Sequence, residues 1–369
     1  MSEGREGMSE MKKDTKKRID WLDALKGIGI AFIVMGHIVG AWCHLGTGIS
    51  SQVAMLSYKY FYAFHVPLFF VIAGMTFRAR PWNDFFKGIG KRLIVPYLLF
   101  GVASILIYWC LYDVIVPLVL SSDSLGHYAS KTGQLSLGAQ ILHLLVGGYS
   151  VESFTANSVL WFIPALVSVM LVGQALFSFF TWKYRWSALI FLGIALFWVK
   201  LPWLPWGANL IPRYLPYFIL GNLIGTREFV SEKRTAALIG AIGLIVVFGA
   251  TAVWNPWQYF PKCIWQKVFN FVVTTGNIFG WILLSQAFNL SKMVRYWGTQ
   301  SMGIMLMHKF PVLFFQNFIP MTRALFAGVL ISGICGCFLV FVIAMAMTCG
   351  VCWVIGRFAP WMLGERNHK

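Results

Sequence analysis

Acidic side chains are scarce in this chain: 13 aspartates and glutamates stand against 30 lysines and arginines in 369 residues. Charge of either sign is thin, at 12% of residues, about half of what a soluble domain of this size carries. A soluble globular fold is therefore excluded. The polar–apolar alternation of barrel strands is also missing, because the apolar runs are continuous. No P-loop, G-x-G-x-x-G, H-E-x-x-H or G-x-S-x-G occurs. ATP hydrolysis, dinucleotide redox and serine-hydrolase chemistry are thus without support. There is no repeat of fixed period, and no zinc-spaced second pair accompanies Cys349-x-x-Cys352. The seven cysteines accordingly read as small apolar residues, and no metal site is expected.

What is present is apolar and aromatic: 58% of residues are hydrophobic, with 17 Trp and 32 Phe. This composition suits lipid-facing helices with interfacial belts. The expected class is all-α, a polytopic integral membrane helical bundle of about ten transmembrane helices, each of roughly 17–25 residues. The expected spans are 25–45, 60–77, 93–119, 159–180, 186–200, 209–226, 236–254, 267–288, 301–319 and 325–355. Residues 1–17 read as a disordered basic cytoplasmic tail and 18–369 as one membrane domain. The first apolar segment reads as a retained signal-anchor helix.

A net charge of +17 in a soluble protein would suggest nucleic acid. Here the basic residues fall in short loops, the positive-inside pattern, and no nucleic-acid partner is expected. With the N-terminus inside, 22 of the 30 lie on the cytoplasmic side. An even number of spans places both termini there, in a plasma (inner) membrane. The longest segment on the other side, 120–158, has a stretch at 137–147 able to form a short apolar helix against the bundle.

Ionisable groups inside spans are costly and mark function. His37 lies well inside the first span, above Lys26 and Asp23. Eleven residues at 100° each make about three turns, so Lys26 and His37 share a face roughly 16 Å apart. An imidazole there suits a general base, or an acyl-carrying nucleophile. Pro67 places His65 in the first turn of the second helix, within reach of His37. Arg78, Arg80, Lys87, Lys91 and Arg92 crowd the cytoplasmic loop after that helix and suit phosphate oxygens. Trp161 opens the fourth span, Arg213 sits near the outer surface, and His308 falls about midway through the ninth.

At these positions the chain resembles acyltransferase family 3, the polytopic enzymes that O-acylate cell-envelope sugars, and within it the fucose 4-O-acetylase-like branch. The matching stretches are Arg18–His37 (RIDWLDALKGIGIAFIVMGH), Phe64–Gly74 (FHVPLFFVIAG), Lys91–Tyr97 (KRLIVPY), Leu160–Leu166 (LWFIPAL) and Ser301–His308 (SMGIMLMH). The family motif of a basic residue, ten residues and a histidine falls on Lys26 and His37. Arg is the commoner basic residue there, and Lys acts as a point charge. Many family members carry an extra extracytoplasmic domain. This chain has no room for one, so transfer is expected within the membrane domain or with a partner.

The resemblance implies a bacterial enzyme that moves an acetyl or other short acyl group from cytoplasmic acyl-CoA to a sugar hydroxyl. No bound cofactor is expected; acetyl-CoA is the donor, and a carbohydrate, free or lipid-linked, is the acceptor. His37, Asp23 and Lys26 are the expected catalytic group. Lys26, Arg78, Lys87, Lys91 and Arg92 are expected at the acyl-CoA. His65, Trp161, Arg213 and His308 are expected to bind acceptor or support the site. The rival reading is a transporter or flippase of a lipid-linked sugar or small anion, which intramembrane histidines and a basic cytoplasmic face also suit.

Overall fold

The structure, a computed structural model, describes residues 19–110, 136–147, 155–179, 199, 201–229, 232–253, 264–318 and 320–364. The expected tail at 1–17, the first part of the long loop and all but residue 199 of the span expected at 186–200 lie outside the described residues. Among the described residues the chain is helical and has no strand. Seven stretches are long and apolar enough to cross a membrane: Asp20–Leu45, Gly48–Thr76, Trp82–Trp109, Asn157–Phe179, Lys233–Ala252, Trp265–Ala287 and Leu330–Phe358. The protein is a polytopic helical membrane bundle. Two further expected spans take a shorter form. The one at 209–226 is a 14-residue helix, Ile211–Ile224. The one at 301–319 is broken at His308 into Ser301–Met307 and Lys309–Phe318.

Helices α1 (Asp20–Leu45) and α2 (Gly48–Thr76) form a hairpin. Gly29 lies against Leu68 and Phe69, Gly36 against Phe61 and Tyr62, and Gly40 against Tyr58. The partners run backwards along α2, so the pair is antiparallel, and small residues let the two axes approach closely. Pro67 stands inside α2 and has no N–H to give the Ala63 carbonyl. The Thr274 hydroxyl supplies that hydrogen bond from another helix, at 2.9 Å.

Helix α3 (Trp82–Ile89) runs through a π-helical turn (Gly90–Ile94) into α4 (Val95–Trp109). Pro96 cannot donate to the carbonyl four residues back. The turn before it widens, and the Val95 N–H reaches back to the Gly90 carbonyl. The expected short helix appears as α5 (Leu137–Leu145), capped by the Ser136 hydroxyl and tied to the bundle by a 2.6 Å bond from the Tyr97 hydroxyl to the Leu144 carbonyl.

The bundle is completed by α6 (Phe162–Phe179), α7 (Ile211–Ile224), α8 (Lys233–Val253), α9 (Ile264–Ala287), α10 (Lys292–Thr299), α11 (Ser301–Met307), α12 (Lys309–Phe318), α13 (Pro320–Ala327) and α14 (Leu330–Phe358). Helix α10 packs on the start of α1: Gly27 sits on the backbone of Val294, and Gly298 on that of Asp23. Helices α2 and α7 also meet backbone to backbone, with Gly74 against the Phe218 carbonyl and Gly221 against that of Val71. The Asn222 side chain then donates to the Gly74 and Phe77 carbonyls at 3.2 and 3.1 Å, closing the end of α2.

A side chain at Gly74 has no space to enter. Gly74→Val is expected to cost about 1–3 kcal/mol or more by overpacking, read as a lower unfolding midpoint in detergent. Gly243→Ala, in α8 with open space around it, is expected to leave that midpoint unchanged.

Candidate active site

The site grows from a helix that stops inside the bundle. The His308 ring nitrogen Nδ1 lies 2.9 Å from the Ile304 carbonyl and 3.0 Å from that of Met305. Carbonyls only accept, so Nδ1 carries the proton and the lone pair sits on Nε2. The ring thereby competes for the Met305 carbonyl that would carry α11 onward, while the Ile304 carbonyl also accepts the His308 backbone N–H at 2.9 Å. The fully buried Asn157 takes the next one, donating to the Leu306 carbonyl at 2.9 Å and to the Ser104 hydroxyl at 3.1 Å. The chain restarts as α12 with Lys309, and Pro311 falls in its first turn, where a missing N–H costs little.

This break faces α1 and α2. The rings of His308 and His37 are 5.3 Å apart between centroids. His37 is half-buried, and its Nδ1 lies 3.2 Å from the Tyr62 hydroxyl on α2. Tyr62 also meets the His65 ring edge-on at 4.7 Å. Three histidines from three segments therefore surround one phenol or lie one ring away from it. Among the described residues no three His, Cys, Asp or Glu side chains converge as a metal site.

The position of His65 corrects the sequence expectation. Helix α2 begins at Gly48, so His65 and Pro67 lie in its interior and not in a first turn. Proline marks a helix start only where nothing else can satisfy the freed carbonyl, and here Thr274 does so. His65 is 3% exposed and donates through Nδ1 to the Phe61 carbonyl at 2.5 Å. It reaches His37 through Tyr62.

The other expected residues fall in three places. Asp23 and Lys26 pair at 3.1 Å near the start of α1, beside the Asp20–Arg295 pair at 3.4 Å. Lys87, Lys91 and Arg92 are exposed, the last two on the π turn. Arg78, also exposed, donates to the Met75 and Phe77 carbonyls and lines a cavity of about 440 Å³ together with Asn222 and Arg227. Trp161 is half-buried and stacks on Tyr214 at 6.1 Å. The Arg213 guanidinium lies 5.5 Å from the same ring.

Four residues of this site were not singled out from the sequence: Tyr62, Asn157, Ser158 and Lys309. Lys309 donates to the Ser158 hydroxyl, three residues before Trp161. The signal for Lys309 was present, since it is a charge inside an expected span. Tyr62 stands one turn from His65 but carried no charge to draw notice. Two buried acceptors in the site lack a hydrogen bond, His308 Nε2 and Asn157 Oδ1. Such atoms are rare in a settled core and call for a donor.

A family model described as an acyltransferase domain matches residues 19–357, nearly the whole chain. The protein belongs to that acyltransferase family. It is similar to the inner membrane protein YcfT of Escherichia coli, 28% identical over 251 residues, covering 64% of this chain and 65% of that one. It is also similar to the nodulation protein NolL of Mesorhizobium japonicum, 25% identical over 238 residues, covering 54% and 60% respectively. The chain thus spans less than two thirds of the length of either relative. No solved structure matches it significantly. The family match takes in every element of the site, from His37 to Lys309.

Asn157→Ala removes two buried hydrogen bonds and is expected to cost about 1–2 kcal/mol at the helix break. A lowered unfolding midpoint in detergent checks this.

Proposed function

We propose that this family member transfers a short acyl group, acetyl in the simplest case, from acyl-CoA to a hydroxyl of a cell-envelope sugar. The observation that carries the reading is the half-buried His37 imidazole with its Nδ1 at the Tyr62 hydroxyl, 3.2 Å away. When Nδ1–H donates to Tyr62, the lone pair sits on Nε2, the form a general base needs. Nε2 takes the proton of the acceptor hydroxyl. The hydroxyl oxygen bonds to the thioester carbon, the C–S bond breaks, and the proton passes to the leaving sulfur. His308 Nε2 and Asn157 Oδ1, both lacking donors, suit neighbouring hydroxyls of a sugar.

In this reading the end at which α1 begins faces the cytoplasm of a bacterial cell. Lys26, Arg78, Lys87, Lys91 and Arg92 meet the phosphates of the donor there. The roughly 16 Å of helix from Lys26 to His37 matches an extended pantetheine arm, so the thioester reaches the imidazole while the nucleotide stays inside. Asp23 holds Lys26 in place. Trp161 beside Tyr214 offers an aromatic face for the acceptor, with Arg213 next to it.

A second reading, a carrier of a lipid-linked sugar, draws on the break at His308, because carriers bind substrate at interrupted helices. Purified protein given acyl-labelled acetyl-CoA and an envelope glycan fraction separates the two: label moves to glycan only in the first. His37→Ala is expected to slow this transfer by about 10²–10⁴-fold; transfer at the wild-type rate would sink the proposal. Tyr62→Phe is expected to lower kcat by about 2–10-fold, the worth of one hydrogen bond, with the KM for acetyl-CoA unchanged in steady-state kinetics.

A further inference from the structure

Lys309 is a cation inside the bundle with a hydroxyl for company. It opens α12 directly after His308, and its ammonium donates to Ser158. The ion pairs among the described residues join Lys26 to Asp23 and Arg295 to Asp20; no described carboxylate lies within salt-bridge distance of Lys309. A hydroxyl satisfies one of the three N–H bonds but cancels none of the charge. Charged side chains at this depth are expensive and persist where they serve a function. Lys309 follows His308 in the chain, and the His308 ring lies 5.3 Å from that of His37.

Acyl transfer makes one negative charge, and a cation beside the reacting carbonyl would meet it. As the acceptor O–H bond breaks and its proton passes to His37, the hydroxyl oxygen bonds to the thioester carbon. The carbonyl π pair moves onto the carbonyl oxygen, giving a tetrahedral oxyanion. When that pair returns, the C–S bond breaks and His37 gives its proton to sulfur. A preorganised cation beside the developing oxyanion, in a site away from water, is worth far more than in solution. Resting on the acyl-transfer reading, we infer that Lys309, braced by Ser158, is the catalytic residue that stabilises this oxyanion. Ser158 acts as its positioning residue: it fixes one N–H bond and so aims the remaining two.

Two donor analogues of nearly equal shape test this without turnover. S-carboxymethyl-CoA carries a carboxylate near the place where the oxyanion forms, and S-acetonyl-CoA carries a neutral ketone. Full-length protein in detergent is expected to bind the first more tightly. Lys309→Met should abolish that preference and Lys309→Arg should retain it, with unfolding midpoints measured to show that both variants fold. Transfer from acetyl-CoA at saturating substrates should fall about 10²-fold or more in Lys309→Met. An undiminished carboxylate preference in Lys309→Met, or a raised acceptor KM with unchanged kcat, overturns the inference and leaves acyl transfer standing. If the wild-type protein binds neither analogue, the acyl-CoA reading falls and the role of Lys309 falls with it.

Discussion

A helix cannot end inside a bilayer without leaving carbonyls that water does not reach, and this chain ends one at His308. The imidazole answers the Met305 carbonyl itself and shares the Ile304 carbonyl with its own backbone N–H, and Asn157 answers the next. The groups that repair the break are therefore the groups that gather there. His308 is held with one nitrogen outward from its own helix, and Lys309 is placed at the start of the next. Asn157 fixes the turn that carries Ser158. The same constraint operates at Pro67, where the lost backbone donor is replaced by Thr274 from α9. Polar side chains in this bundle serve the backbone first and chemistry second, and the site lies where both demands meet.

The close α1–α2 seam turns that arrangement into geometry. Glycines at 29, 36 and 40 bring the helices near enough for the Tyr62 hydroxyl to lie 3.2 Å from His37. A bulkier residue at 36 would press on the Tyr62 ring itself. The phenol then links His37 to His65, whose own Nδ1 is committed to the Phe61 carbonyl. One tyrosine thus stands between two imidazoles that the sequence placed on separate helices.

Much of the architecture was legible because lipid imposes a simple code. Long apolar runs gave seven of the ten expected spans, the short apolar stretch at 137–147 gave a helix against the bundle, and the spacing of Asp23 and Lys26 gave a pair on one face. His37 and His308 stood out as ionisable groups in apolar runs. What stayed hidden depended on contacts between distant segments. Tyr62 acquires its role from Gly36 across the seam, and Asn157 from a carbonyl 149 positions away. The start of α2 was misplaced because proline was read as a boundary, whereas a neighbouring helix can meet the demand that proline creates. Lys309 was not singled out although it is a charge inside an expected span, and its bond to Ser158 joins segments 151 positions apart.

The two-residue joint between α1 and α2 separates the parts of the site in time of synthesis. His37 and Tyr62 emerge from the ribosome close together, on a hairpin that can insert as a unit, whereas His308 and Lys309 follow some 240 residues later. A nascent chain stalled before residue 301 holds His37 and Tyr62 but neither the third imidazole nor Lys309. The cluster is thus complete only when the late broken helix docks against the early hairpin.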